Sequence, residues 1–224
     1  MTPAGPEDKR VPTAILISGR GSNMMALAEA CADPAFPARI VLVLSNEPDA
    51  PGLTWAADRG LPTAVIHHRA YDDRESFEAA MTERLREAGA RLVCLAGFMR
   101  LLTPGFVSTW GERILNIHPA LLPAFKGLHT HERALDAGAR VHGCTVHLVS
   151  AEMDSGPIVA QAAVPVLADD TPETLAARVL EQEHRIYPLA LRLLAEGRLH
   201  VTGAACHVRG AQGPDAGPLV NPVG

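Results

Sequence analysis

Asn116 and His118 stand two residues apart in the segment RILNIHPALLPAFKGLHTHERALDAG, residues 113–138. Residues 113–118 alternate as a half-buried strand does, and Pro119 stops the ladder because it has no N–H to donate. Residues i and i+2 of an extended chain face the same side, so the amide and the imidazole share one face at a strand end. A histidine takes or gives a proton near neutral pH. An amide N–H stabilises an oxyanion without carrying charge. Together they suit transfer of an acyl group from one nitrogen to another: the imidazole takes the proton shed by an attacking amine, and the amide holds the tetrahedral oxygen. A carboxylate beside the imidazole would raise its pKa and fix its orientation. Asp154, in the turn MDSG at residues 153–156, is the candidate. Both positions also have plain structural readings, since Asp is a common turn residue and a histidine at a strand end is often simply packed and hydrogen-bonded.

A second constellation is the loop SGRGSNM, residues 18–24. It lies where an apolar strand hands over to a helix, and backbone N–H groups at a helix N-terminus bind anions. No Gly-Lys-Ser/Thr follows, so it is not a Walker A loop. Gly19 and Gly21 fit a dinucleotide fingerprint, but Met24 stands where the third glycine belongs. An NAD-linked oxidoreductase would need that glycine. A single phosphate held by the backbone of Gly21, Ser22 and Asn23 and by the Ser22 hydroxyl fits the loop. A tight turn with Ser22 as helix cap fits it equally. Arg20, between the glycines, reads as a cation near a phosphate or as a side chain in water. His129 and His131 alternate, but no cysteine or carboxylate completes a metal set, so no metal is expected. Cys144 lies inside a strand and reads as core, not as a nucleophile.

The elements that must position these groups alternate. TAILIS (13–18), ARIVLVLSN (38–46), PTAVIH (62–67) and RLVCLAG (91–97) read as buried strands. Helices are expected from residue 23 to 31, over 52–60 ending at Gly60, and over 73–89 ending at Gly89. The last has Phe77, Ala80, Met81, Leu85 and Ala88 on one face. This alternation argues a parallel α/β sheet up to about residue 118. After Pro119 a proline-rich loop leads to a short helix at 131–137. HGCTVHLVS (142–150) and PIVAQAAVPV (157–166) then form an antiparallel hairpin. Residues 171–197 read as a helix capped by Thr171 with Pro172 at its first position, kinked or restarted at Pro188.

We expect one α/β domain over residues 13–206, with a Rossmann-like, phosphate-binding half at 13–118 and a mixed-sheet half carrying a C-terminal antiparallel hairpin at 119–206. Residues 1–12 read as a leader and 207–224 as a tail. The chain's 224 residues are 47% hydrophobic and 20% charged, ordinary for a globular domain. A net charge of −5 argues against general nucleic-acid binding. Cys31, Cys94, Cys144 and Cys206 form no C-x-x-C pair and suit reduced thiols. No apolar stretch suits a signal peptide or a membrane span, so a cytoplasmic location is expected, with no membrane partner.

The segments ILISGRGSN, LAGFMRLLTPGFV, ILNIHPALLPAFKGLHTHERALDAG, HGCTVHLVSAEMDSGPIVAQ and RVLEQEHRIYPLAL occur in order between about residues 13 and 200. Together they resemble the phosphoribosylglycinamide formyltransferase family. N-I-H-P-x-L-L-P with a later D-x-G-P is specific to formyltransferases, and GLHTHERAL resembles the glycinamide branch. The methionyl-tRNA branch differs there and carries a further C-terminal domain, for which this chain has no room. The resemblance implies the single-domain formyltransferase fold, 10-formyltetrahydrofolate as co-substrate, no metal, and 5-phosphoribosylglycinamide as acceptor. It implies catalysis by Asn116, His118 and Asp154. The ribonucleotide would rest on Gly21, Ser22 and Asn23, with Glu183 on its ribose. Glu183 also falls at the edge of the apolar arc of Leu175, Val179 and Ile186, where a carboxylate is paired, binds something, or reaches solvent. The folate would lie against Met99, Arg100, Leu101 and Leu102, under the loop of Ser150, Ala151, Glu152, Met153 and Asp154, with Arg74 near its glutamate tail. A monomer or homodimer is expected. Two rivals are a 10-formyltetrahydrofolate deformylase, which usually carries an N-terminal regulatory domain, and a non-catalytic nucleotide-binding module, which leaves Asn116, His118 and Asp154 unexplained.

Overall fold

The structure is a computed structural model that describes residues 8–211 and residue 221. One seven-stranded sheet organises it, in the order β3-β2-β1-β4-β5-β6-β7. Strands β1 (Val11–Ile17), β2 (Ala38–Ser45), β3 (Thr63–Val65), β4 (Leu92–Leu95) and β5 (Ile114–His118) run parallel. β6 (Val141–Leu148) and β7 (Ile158–Pro165) continue it antiparallel. The mixed sheet with its terminal hairpin is thus the architecture expected.

The central strands are buried on both faces, which is why they read as unbroken apolar runs. Alternation divides them between two cores. Ile15 and Ile17 of β1 face α1 (Ser22–Ala32) and α6 (Pro172–Ala195), packing with Leu27, Leu115, Val179 and Leu191. Ala14 and Leu16 face the other way, toward Phe77, Met81 and Leu85 of α3 (Arg74–Glu87) and Phe106 and Trp110 of α4 (Pro104–Trp110). Two short helices, α2 (Pro51–Ala57) and α5 (Thr130–Asp136), complete the layers.

Several boundaries differ from the sequence reading. β1 begins at Val11, inside the expected leader, because Val11 N–H donates to Pro37 O (2.7 Å) and pairs with Ala38. Residues 1–7 lie outside the described residues. Helix α4 was not anticipated, although Thr103 caps it through Phe106 N–H (3.2 Å) and Pro104 opens it. α6 does not restart at Pro188 but runs through it as one element. A second hairpin, β8 (Leu199–Thr202) with β9 (Ala205–Val208), crosses the boundary set at residue 207. Of the tail beyond it, residues 212–220 and 222–224 lie outside the described residues. Among the described residues no helix is long and apolar enough to cross a membrane, and Cys31, Cys94, Cys144 and Cys206 are free.

Candidate active site

The chain leaves β1 toward β2 and β3 on one side, then returns to lay β4 on the other. Such a switch point opens a crevice at the carboxyl ends of the strands, where α/β sheets bind ligands. A cavity of about 270 Å³ lies there, lined by residues 18–23 after β1 and by Ala96, Gly97 and Met99 after β4. Gly21 takes a left-handed φ of 73° as it opens α1, a conformation suited to glycine. Gly52 presses on the loop from α2. A Cβ there would stand 2.7 Å from Ile17 Cδ1 and 3.1 Å from the carbonyls of Gly19 and Arg20. Its N–H donates to Gly19 O (3.1 Å).

Asn23 reaches across from this loop. Its Nδ2 donates to Glu183 Oε2 of α6 at 2.6 Å, joining residues 160 apart. Tyr187, one turn beyond Glu183, is fully buried and donates to Leu95 O (2.9 Å) and Leu115 O (3.2 Å). That phenol sets the depth of α6 against the strand ends. Glu183 is buried, and burial raises its pKa, opposed in part by the Asn23 amide. A carboxyl raised in the fold contributes stability that is present at low pH and lost as pH rises through its folded pKa. Glu183→Gln keeps an acceptor for Asn23 without the buried charge. Its melting temperature should therefore match or exceed the parent's at pH 8, with the gap closing on acidification. Thermal melts of the two proteins across pH check this.

Met99 is tied to the same crevice. Its N–H donates to Ser18 Oγ (2.8 Å), and Ser18 Oγ donates in turn to Asn46 Oδ1 (2.5 Å). Met99 and Leu101 are 66% and 57% exposed, a high figure for large apolar side chains. Met153, in the loop after β6, is also half exposed. Leu102 is half-buried and Arg100 exposed. The loop folds on itself through Ser150 Oγ to Glu152 O (2.9 Å), and Glu152 pairs with Lys126 (3.5 Å). Ala151 is exposed within it. Arg74 is the first residue of α3 and is exposed; among the described residues no hydrogen bond or ion pair engages its side chain.

The third constellation gathers at the end of β5. Leu95 pairs with Asn116, so Asn116 lies beside the strand that leads into the cavity wall. Asn116 and His118 point to one side, as their spacing requires. Asp154, on the loop between β6 and β7, brings Oδ2 to 3.5 Å from His118 Nδ1. The same oxygen accepts Gly127 N–H at 2.9 Å. Asp154 sits at a φ of 51°, left-handed although not glycine. His118 Nε2 donates to Phe125 O at 3.0 Å. Both ring nitrogens thus face oxygen atoms.

Sequence reasoning missed His147. β6 pairs it directly opposite Asn116, and Asn116 Nδ2 lies 3.1 Å from His147 Nε2. His147 Nδ1 donates to Leu148 O (2.9 Å), which leaves Nε2 as the acceptor for the amide. Burial lowers the pKa of His147 and keeps the ring in that neutral form. One N–H of Asn116 is thereby pinned and the other left for a ligand. Thr145 was missed too. Its hydroxyl accepts Leu122 N–H (3.0 Å) and donates to Ala120 O (2.7 Å), knitting the proline loop to β6 beside a cis Leu122–Pro123 peptide. His129 pairs with Glu132 (3.5 Å), not with His131. Away from the crevice, Glu47, His67 and His68 bring donor atoms within 4.8 Å of one another, a set the sequence did not single out.

The arrangement offers an amide N–H and an imidazole on one side of a strand end, a carboxylate 3.5 Å from the imidazole, and a glycine loop that opens a helix. It can stabilise an oxyanion and move a proton between two nitrogens.

The chain is similar to known proteins along most of its length. The formyl transferase family model matches residues 11–191. The phosphoribosylglycinamide formyltransferase of Escherichia coli is 43% identical over 203 residues, which is 91% of this chain and 96% of that protein. The trifunctional purine biosynthetic protein adenosine-3 of Bos taurus is 48% identical over 90% of this chain, and the chain spans about a fifth (20%) of that protein's length. Among solved structures, the glycinamide ribonucleotide transformylase 1 of Symbiobacterium toebii superposes with a TM-score of 0.88 at 45% identity, covering 93% of this chain and 99% of that one. The phosphoribosylglycinamide formyltransferase of Brucella melitensis gives 0.80 at 54% identity, covering 84% and 96%. A family match that runs from β1 into α6, carried by relatives of this identity and fold, establishes that the chain belongs to the formyl transferase family.

Proposed function

We propose that this chain is a phosphoribosylglycinamide formyltransferase of purine biosynthesis. It moves the formyl group of 10-formyltetrahydrofolate to the amine of 5-phosphoribosylglycinamide. The observation that carries this reading is the convergence of Asn116, His118 and Asp154 at the crevice of the glycine loop, from strand and loop positions 36 residues apart. Its family membership and relatives support the same reaction.

The acceptor's amine nitrogen attacks the formyl carbon, and the carbonyl electron pair moves onto oxygen. The free N–H of Asn116 holds that oxygen, and so does the Nε2–H of protonated His118, which gives up Phe125 O to do so while Nδ1 keeps Asp154. Asp154 holds the imidazolium and, through a water, carries the amine's proton to N10 of the folate. The bond from carbon to N10 then breaks as the carbonyl reforms. No covalent enzyme intermediate is needed. The ribonucleotide rests on Gly21, Ser22, Asn23 and Glu183. The folate lies between residues 99–102 and residues 150–153, where Met99, Leu101 and Met153 expose apolar side chains. Arg74 serves the folate's glutamate tail. All of these residues come from one chain, so a monomer or a homodimer can work, in the cytoplasm, on small molecules and without a metal.

The test supplies 10-formyltetrahydrofolate alone and then with 5-phosphoribosylglycinamide. Formylated ribonucleotide should accumulate only with both present, matched by tetrahydrofolate. Formate released at full rate without the acceptor would instead identify a deformylase.

A further inference from the structure

Arg20 stands between the two loop glycines and lines the crevice cavity. It is the only charged side chain among the nine lining residues. It is exposed, and among the described residues no hydrogen bond or ion pair engages it. A guanidinium left free at a cavity rim has no structural employment to explain it. The loop beside it is otherwise neutral, since Gly21, Ser22 and Asn23 offer N–H groups and a hydroxyl only. α1 carries no acidic residue in its first turn to offset the positive end of its dipole.

A second feature points to the same ligand. Asn23 is 8% exposed, and its Oδ1 has no hydrogen-bond partner although its Nδ2 is bound to Glu183. A buried acceptor without a donor is costly. Asn23 Oδ1 therefore awaits a hydroxyl donor, and Asn23 lines the same cavity as the free cation of Arg20. A sugar bearing a phosphate meets both demands.

Resting on the formyltransferase reading, we propose that Arg20 is the phosphate-binding side chain of this enzyme and sets its preference for a phosphorylated acceptor over the bare riboside. The guanidinium fork matches two phosphate oxygens, which a lysine cannot reproduce. The contact is far from the reacting carbon and equal in ground and transition states. It therefore acts on KM and leaves kcat alone.

Three variants and two probes test it. In Arg20→Gln the KM for 5-phosphoribosylglycinamide should rise about ten-fold, with kcat within about twofold of the parent. The rise of KM with added salt should flatten, because one screened charge pair is gone. Arg20→Lys should fall between the two, and Arg20→Glu should be worse than Gln. Turnover of the unphosphorylated riboside should not respond to any of them. Inorganic phosphate, titrated calorimetrically, should bind the parent more tightly than Arg20→Gln. An unchanged KM and salt dependence in Arg20→Gln, with equal phosphate affinity, would overturn the assignment. Failure of the formyltransferase reading looks different: the parent would make no formylated product, while phosphate titration would still report on Arg20.

Discussion

Replacing His118 by alanine should lower kcat for formyl transfer by about 10²–10⁴ while leaving ribonucleotide affinity nearly unchanged. The expectation follows from where the ring's contacts go. Its Nε2 is held by Phe125 O and its Nδ1 faces Asp154, so the ring is fixed at the end of β5 beside Asn116, and the mechanism rests on it. The groups assigned to the ribonucleotide lie on the glycine loop and α6, and none of them contacts His118. The fold should tolerate the change, because Asp154 retains the N–H of Gly127. Asn116→Ala should cost about 10²–10³ by removing an oxyanion donor. The double variant should cost little more than the worse single one, since groups acting on one oxygen are not additive. Steady-state kinetics and ribonucleotide titration of the three variants measure this. Turnover of His118→Ala close to the parent's would exclude the mechanism.

Gly156→Ala should be the most damaging single-methyl change near the site. A Cβ at Gly156 would stand 1.7 Å from Leu148 O, 2.9 Å from Leu148 C and 3.2 Å from Ser150 N. All three are backbone atoms, so no rotamer relieves the clash. The loop between β6 and β7 must back away from the end of β6, where Leu148 N–H donates to Pro157 O (2.9 Å). Overpacking of this kind costs about 1–3 kcal/mol or more, and the melting temperature should fall roughly 2–4 °C per kcal/mol. Asp154 lies two residues before the clash. A shift of about 1 Å at a catalytic group can cost 10² in rate, so kcat should fall about 10²-fold with it. Gly105→Ala is the control: its Cβ would meet Thr103 Oγ1 at an ordinary 3.6 Å inside α4, and it should be neutral or slightly stabilising. If the two alanines melt and turn over alike, packing of the loop against Leu148 does not hold Asp154.

The parallel half was legible because its strands are buried on both faces and its helices stop at glycines. The failures have separate causes. β8 and β9 alternate only between half-buried and exposed positions, so their apolar signal is weak, and Gly203 alone marks the turn with a φ of 61°. α4 is seven residues long, too short for periodicity to declare itself, although its Thr-Pro start was visible. Pro188 was expected to break α6 on propensity. Burial of Tyr187, Ala190 and Leu191, together with the Tyr187 hydroxyl bonded to two strand carbonyls, outweighs that local preference.

His147 shows where reading the chain stops. In HGCTVHLVS it is one more strand residue. Its service to Asn116 depends on the antiparallel register that sets Asn116 opposite His147, and a one-residue slip would turn it to the other face. The connection between β5 and β6 is long and holds only the short α5, so nothing local specifies that register. By itself the sequence determined the chemistry available, since residue types and the i, i+2 spacing of Asn116 and His118 are local facts. It also determined the alternation of strands and helices, because burial on both faces leaves its mark in composition. Tertiary structure alone decided how far Asp154 stands from the imidazole, which acceptor orients the Asn116 amide, and that Asn23 meets Glu183. Those are distances between segments remote along the chain, and they follow from how the whole sheet and its covering helices pack.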